Sequence, residues 1–590
     1  MALPNTNTSH TSLTSVQRIR IWYGFLLLII AIFVVRLFYV QVIKYDHYKN
    51  AALHNQLKQY QIPAARGIIS AHVGGGVVPI VLNEQLYTLY ADPTFIKNPD
   101  SAAIKLSSIL GGKAETYANL LKTKNTRYVV LAKRITGAQQ VKIVALKYPG
   151  VGAQAQQYRT YPQGSLAAQT LGFVSDGGTG EYGLEQALNK ELSGTPGQLK
   201  AITDISGVPL AASRDNTETP PKKGSDVTLT IDLAMQQQLE KILQAGGKAA
   251  NSPEGSALIL DTNTGAVKAI ANYPTYDPAK YGQVKDPGTF QNGAVSAAIE
   301  PGSIVKILTT AAAIDSGAVT PNQTYYDPYK FIVDGFTISN VEIDGNAGTK
   351  SLYDILNLSL NTGATWELMQ MGGGSINSKA RDTWHNYLTK HYMLGKTTGI
   401  EQGYESAGLI TPPGNNGKAI NLTYAESAFG QAMLATPIQM AAAEAAILNG
   451  GTYYQPHLVE QYTDESGRTN KVAPTVISSN VVKPSTSQAL NSMLVYSVEH
   501  HGAQPAFDQT KYSVGGKTGT AQIAVNGVYS DKQYNGTYLG FVGGDKPQYV
   551  IVVYVQKPVV NFYAGAAAAQ PIFFNLAHML INNSYVTPKL

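Results

Sequence analysis

One apolar run near the start of the chain constrains the fold more than any other feature. Ile21–Val35 (IWYGFLLLIIAIFVV) passes without a charge, Arg36 interrupts, and Leu37–Ile43 continues the apolar character. About 20 apolar residues span a bilayer, and an arginine near one end can reach the interface along its aliphatic stem. A cleaved signal peptide and a buried core helix are the competing readings. No clear small-x-small cleavage site follows the run, which favours an uncleaved, single-pass anchor over residues 21–43. Residues 1–20 are polar, acid-free and end in Arg18 and Arg20, so they are expected in the cytoplasm; Lys44, Lys49 and Lys58 beyond the run weaken that bias. No other stretch of the 590 residues matches this run, so the bulk of the chain is expected on the extracytoplasmic side.

Composition removes whole classes of function. Cysteine is absent, which excludes disulfides, cysteine-ligated zinc, iron–sulfur clusters and thiol nucleophiles. The ten histidines form no HExxH-type spacing, so neither a metal nor another cofactor is expected. Net charge is only +6 and no run of five Lys/Arg occurs, so nucleic acid is not an expected partner. Hydrophobic residues at 44% are enough for packed domains rather than disorder.

Past the apolar run, residues 44–60 read as a polar helical stalk. Residues 61–220 mix short strands, helices and Gly-rich turns, and Asp215–Lys223 (DNTETPPKK) reads as a boundary. Then Asp232–Leu243 carries Leu233, Met235, Leu239, Ile242 and Leu243 at helical spacing. Ser256–Leu260 and Ala266–Ala271 flank a turn at Asp261–Gly265. Thr537–Val542 and Tyr549–Val555 flank a second at Gly544–Gln548, and Pro571–Ile581 forms a closing helix. Strands first and last with helices between predict an α+β domain, a central antiparallel sheet covered by helices.

Three motifs carry chemistry. In Glu300-Pro-Gly-Ser303-Ile-Val-Lys306, Pro-Gly-Ser before an apolar run ending at Gly317 puts Ser303 at a helix N-terminus, with Lys306 on the same face. A serine hydroxyl needs a base, and a lysine can serve when desolvation or nearby positive charge lowers its proton affinity. Taken alone, a capping serine and an exposed lysine are the better explanation of this string. Ser359-Leu-Asn361 offers a proton-relaying hydroxyl and an amide. Ser375–Asn377 and Ser478–Asn480 share the spacing, and only the neighbouring helix near Leu352 favours the first. Gly515-Gly-Lys517-Thr518-Gly519-Thr520 places a lysine and two hydroxyls where a carboxylate can bind, with Gly519 expected to admit the substrate backbone. A phosphate loop is the rival reading, but the first glycine of that motif is missing and the following residues read as strand.

Ser-x-x-Lys, Ser-x-Asn and Lys-Thr-Gly in this order form the signature of penicillin-binding proteins and serine β-lactamases. The chain resembles a class B penicillin-binding protein, a bitopic D,D-transpeptidase, over nearly its whole length. Further matches are Arg36–Ile43, Arg66-Gly67, Tyr161-Pro-Gln-Gly164 through Ala168, Gly180–Glu185, Leu229–Asp232, Gly430-Gln431 and Thr436–Gln439. The resemblance implies a cytoplasmic tail (1–20), an anchor (21–43), a non-catalytic mixed α/β pedestal of dimerisation type (44–220) and a transpeptidase domain (221–590). It implies that Ser303 is acylated by a D-Ala-D-Ala stem peptide, that Lys306 is the base, that Ser359 relays protons and that Asn361 orients Lys306 and the substrate amide. Lys517, Thr518 and Thr520 would hold the carboxylate, and the N–H groups of Ser303 and Thr520 would form the oxyanion hole. β-Lactams would acylate Ser303.

The tail Tyr538–Gly543, Tyr549–Val555 and Tyr563-Ala-Gly565 is more similar to the division branch (FtsI type) than to the elongation branch. That similarity implies an FtsW-type glycan polymerase and other division membrane proteins as partners. An elongation transpeptidase, a D,D-carboxypeptidase or β-lactamase on the same fold, and a catalytically dead scaffold are the alternatives. Two stretches depart from the family pattern. Ser70–Gly76 replaces an Asp-Arg-x-Gly stretch, which puts local pedestal contacts in doubt, and Ala432 replaces the last glycine of Gly-Gln-Gly, with little expected effect on chemistry. His500-His501, before the third motif, is read as a loop pair bordering the cleft at most.

Overall fold

A computed structural model describes residues 15–48, 57–202, 217–341, 347–414, 419–500, 507–525, 528–561 and 563–590. The chain divides into two compact units: residues 1–64 with 195–222, and residues 65–194 with 223–590.

In the first unit, helix α1 (Ser15–Phe38) continues through a π-turn at Tyr39–Ile43. Ser15–Ile43 is long and apolar enough to cross a membrane, with a mean hydropathy of 2.7 and none of its most apolar window buried. The helix starts ahead of the apolar run, so Arg18 and Arg20 lie on it; residues 1–14 of the expected tail lie outside the described residues. The expected stalk over 44–60 is corrected. Helix is described as far as Tyr48, residues 49–56 lie outside the described residues, and Leu57–Ile62 is a strand. It pairs antiparallel with Gly197–Ile202, which in turn pairs with Thr217–Thr219. The expected boundary at Asp215–Lys223 contains the strand Thr217–Thr219, and the two units part between Lys222 and Lys223, with residues 215–216 outside the described set. The stalk correction has one cause: the hydrogen-bonding partner is remote in sequence, and local polarity does not report it.

In the second unit, a seven-stranded sheet draws on both halves of the chain. Its order is Thr469–Lys471, Val459–Thr463, Asp226–Asp232, Ile69–Val73, Gly76–Ala91, Val129–Ile135, with Val151–Thr160 also on Gly76–Ala91. The departing stretch Ser70–Gly76 makes a tight hairpin here. Val73 pairs with Gly76, and Gly74 and Gly75 take φ of 52° and 82°, the left-handed pair a two-residue turn needs. His72 on that hairpin meets the carboxylate of Glu460.

Two of the matched stretches interlock beneath this sheet. Glu185 is fully buried and accepts from Arg66 Nε at 2.7 Å and from Arg159 Nε at 2.8 Å; Arg66 also donates to Asn189 Oδ1 at 2.9 Å. One carboxylate thus balances two buried guanidiniums.

The sheet nearer the motifs has five antiparallel strands: β1 (Glu254–Asp261), β2 (Val267–Tyr273), β3 (Ser513–Val525), β4 (Val528–Gly543) and β5 (Pro547–Gln556), ordered β2-β1-β5-β4-β3. Both expected hairpins fall within it. Alternation assigns its faces. Ala257, Ile259, Ile551 and Val553 pack with α2 (Leu233–Ala249) and the closing helix, Gln570–Asn582. Leu258, Leu260, Val550 and Val552 face the other way, into the core that holds α3 (Val305–Asp315), α4 (Asn361–Met371) and α5 (Pro437–Leu448). Asp232 caps α2 by accepting from the N–H groups of Ala234 and Met235 at 2.9 Å. The fold is α+β, as the strand order predicts.

Replacing Glu185 by Gln leaves two buried guanidiniums without a counter-charge. A loss of about 3–5 kcal/mol in unfolding free energy is expected, read by thermal or denaturant unfolding of the detergent-solubilised chain. A loss below about 1 kcal/mol would mean the pair is not held as described.

Candidate active site

Ser303 sits in a turn that only glycine permits. Gly302 has φ +67°, and a Cβ there would stand 2.9 Å from Thr520 O on β3. A single 3₁₀ turn, Gly302–Ile304, then leads into α3. The nucleophile candidate is therefore at a helix N-terminus and against the edge strand, β3.

Lys306 lies one turn further and is fully buried. Its amine donates toward Ser303 Oγ at 2.9 Å, Ser359 O at 2.5 Å, Ser359 Oγ at 3.2 Å and Asn361 Oδ1 at 2.8 Å. Ser359 has φ +56°, a left-handed conformation for a non-glycine residue, in the short link between the helix Leu352–Asn357 and α4. Such a conformation costs about 1–3 kcal/mol and persists only where surroundings impose it. Here it presents both oxygens of one residue to one amine.

Sequence reading missed the groups that impose it. Asn361 Nδ2 donates to Ser339 O at 3.1 Å. Thr362, next on α4, places its Oγ1 2.8 Å from Asp327 Oδ2 and 2.9 Å from Asn340 Oδ1, while its N–H donates to Asn340 Oδ1. Asp327 also accepts from Asn340 Nδ2 and from Tyr329 N. All three side chains are buried. The one signal was Thr362 itself, a polar residue at the start of a buried helix; Asp327 and Asn340 have no motif spacing.

The third motif lies on β3. Lys517 is buried and its Nζ donates to Thr518 O at 3.0 Å; Thr520 Oγ1 accepts from Gly565 N at 3.0 Å. Gly519 lies where β3 meets the nucleophile turn. A Cβ there would overlap Thr537 Oγ1 and stand 2.8 Å from Pro301 O, and Thr537 Oγ1 itself donates to Pro301 O at 2.8 Å. Its smallness lets β3 close on the nucleophile turn. Ser303, Lys306, Ser359 and Asn361 are thus joined by direct hydrogen bonds, and β3 joins them through its backbone at Thr520 and Gly519.

The Gly430-Gln431-Ala432 segment backs the same turn. Gly302 N donates to Gly430 O at 3.0 Å, and a Cβ on Gly430 (φ +88°) would overlap Gly302 O. Glu300 Oε1 accepts from Ala432 N at 2.9 Å and from Tyr529 OH at 2.7 Å, with burial pushing the carboxyl up. Ala432 itself has φ +52°, so the alanine in place of glycine is a strained residue. His500 ends the helix Pro484–His500, stacked on Tyr496 at 3.8 Å; His501 lies outside the described residues.

A helix-covered antiparallel sheet with a Ser–Lys–Ser–Asn cluster at its edge strand is the layout of the penicillin-recognising serine enzymes. The chain belongs to the penicillin-binding protein transpeptidase family: the family described as "Penicillin binding protein transpeptidase domain" matches residues 255–578, and "Penicillin-binding Protein dimerisation domain" matches residues 61–229. It is 29% identical to stage V sporulation protein D of Bacillus subtilis, over 94% of this chain and 84% of that one. It is 26% identical to the probable peptidoglycan D,D-transpeptidase PenA of Neisseria meningitidis, over 99% and 96%. Among solved structures, penicillin-binding protein 3 of Mycobacterium tuberculosis, complexed with aztreonam, superposes with a TM-score of 0.66 at 25% identity, covering 90% of this chain and 98% of that one. The chain is a transpeptidase of the class B penicillin-binding type.

Ala432→Gly relieves the left-handed alanine but adds freedom to the unfolded chain. A net gain of about 0.5–1 kcal/mol is expected, with the rate of acylation by a penicillin unchanged. Thermal unfolding checks the first and stopped-flow labelling the second; a destabilised variant would contradict the strain.

Proposed function

We propose that the chain is a peptidoglycan D,D-transpeptidase working through an acyl-enzyme on Ser303. The observation that carries this is the 2.9 Å approach of the Lys306 amine to Ser303 Oγ, within general-base reach. Ser303 Oγ bonds to the carbonyl carbon of the penultimate D-Ala of a stem peptide as Lys306 takes the hydroxyl proton. The C–N bond breaks, and the proton passes through Ser359 to the amine of the departing D-Ala. An amine of a second stem peptide then attacks the ester, giving the cross-link and returning the proton to Ser303. Asn361 orients Lys306 and the substrate amide. Lys517, Thr518 and Thr520 hold the terminal carboxylate, and the N–H groups of Ser303 and Thr520 face the developing oxyanion.

β-Lactams are taken as acylating analogues of the same peptide; the aztreonam complex of the M. tuberculosis relative supports this. By role, residues 1–20 form a cytoplasmic tail, 21–43 a single-pass anchor, 44–220 the pedestal and 221–590 the catalytic domain, with the bulk outside the cell. The apolar exposed helix Ser15–Ile43 supports the anchor. A septal role beside an FtsW-type polymerase rests on the tail Tyr538–Gly565. The sporulation relative favours a second reading, in which the same reaction serves another morphogenetic program.

Labelling of the purified chain with a fluorescent penicillin, wild type beside Ser303→Ala, tests the nucleophile. A stable label on wild type alone is expected. Label on both would remove Ser303, rapid turnover would make the protein a β-lactamase, and no label on folded wild type would leave a scaffold.

A further inference from the structure

Against α3, beside the residue one turn past Lys306, lies a carboxyl that the proposed reaction does not use. Glu367 is on α4, two turns past Asn361, and is fully buried. Thr310, one turn past Lys306 on α3, donates to Glu367 Oε2 at 3.1 Å. Glu367 Oε1 is buried and meets no hydrogen-bond partner among the described residues. Its neighbours on α4 at this depth, Ala364, Leu368 and Met371, are apolar packing residues. A buried carboxyl with one oxygen unsatisfied is a poor packing group, and such groups gather where proton affinity matters.

We propose that Glu367 is a positioning residue for the proton on Lys306: its protonation state, felt through α3 and α4, sets how readily the lysine gives up and regains a proton. The proposal rests on the reading of Lys306 as the base. Burial raises the Glu367 carboxyl to about 8, with the Thr310 hydrogen bond and the charge of Lys306 pulling it down. The carboxyl therefore keeps its proton until the pH approaches that value and ionises above it. While protonated it does not favour the ammonium form of Lys306, and the lysine is free to act as a base. Once ionised it holds the ammonium and slows that loss. The other titratable groups around it come from the strand Thr324–Asp327. Tyr325, stacked on Trp366 at 4.5 Å, feels both Asp327 and Glu367 and stays a phenol, pushed up chiefly by burial. Asp327 is engaged by Thr362, Asn340 and Tyr329. The charge of Lys306 therefore bears on the Glu367 carboxyl.

The test has two arms on the full-length chain in detergent. In the first, the penicillin acylation rate is followed from pH 6 to pH 9.5 for wild type and Glu367→Gln. The variant-to-wild-type ratio is expected to rise about five-fold between pH 7 and pH 9, since one unit of proton affinity is a ten-fold population change. A ratio constant with pH would mean that Glu367 only packs. In the second, infrared difference spectra (wild type minus Glu367→Gln) follow the protonated carboxyl itself, with no need for acylation. The same difference taken in a Lys306→Met background should titrate at higher pH, because the lysine charge no longer favours ionisation. An unchanged midpoint overturns the coupling even if acylation behaves as expected. If Glu367→Gln does not fold, Thr310→Val replaces it in both arms. Loss of that hydrogen bond should move the carboxyl titration and the alkaline slowing of acylation to higher pH, and a shift to lower pH or none refutes the proposal. Failure of wild type to acylate at all would count against Ser303 and Lys306 and not against the pairing read in the spectra.

Discussion

The amine of Lys306 is the point on which two separated segments converge. It is fully buried, and its oxygen partners come from the nucleophile turn and from the Ser359–Asn361 link. Removing an ammonium or amine from water is costly unless its hydrogen bonds are remade, so this arrangement is stable only if every segment holds its place. Much of the surrounding architecture can be understood as meeting that condition. α3 supplies the lysine and directs its N-terminus at Ser303. Thr362, Asp327 and Asn340 hold the start of α4. Backbone contacts at Gly302, Gly430 and Gly519 press the nucleophile turn between β3 and the Gly430–Ala432 segment.

Much of this was legible in the sequence, for physical reasons. Ser303 and Lys306 share a helix, so their spacing alone fixes their proximity. The two hairpins and the closing helix announce themselves by local alternation and periodicity, and the sheet that they build is the observed one. Ser359 and Asn361 were harder, because two other Ser-x-Asn strings exist and only helix context favoured this one.

The misreadings share a different cause. Leu57–Ile62 looks polar and helical in isolation but is a strand, because Gly197–Ile202 pairs with it. Gly519 was read as room for a substrate backbone, and the closeness of Pro301 and Thr537 to it was not visible in the sequence. Ala432, expected to matter little to chemistry, has a left-handed backbone that only the fold reveals. Asp327, Asn340 and Glu367 carry no spacing signal at all, since each bonds from another element to a neighbour of the motifs, Thr362 or Thr310. What sequence hides is whatever depends on a partner brought near only by the fold.

The most direct test of the central role of Lys306 is the second-order rate of Ser303 acylation by a penicillin in Lys306→Gln, measured on a variant that still unfolds cooperatively. A fall of about 10²–10⁴-fold is expected if the lysine is the base that the geometry makes it. A rate within about ten-fold of wild type would mean that the proton leaves Ser303 by another route, and that the buried amine only braces the fold.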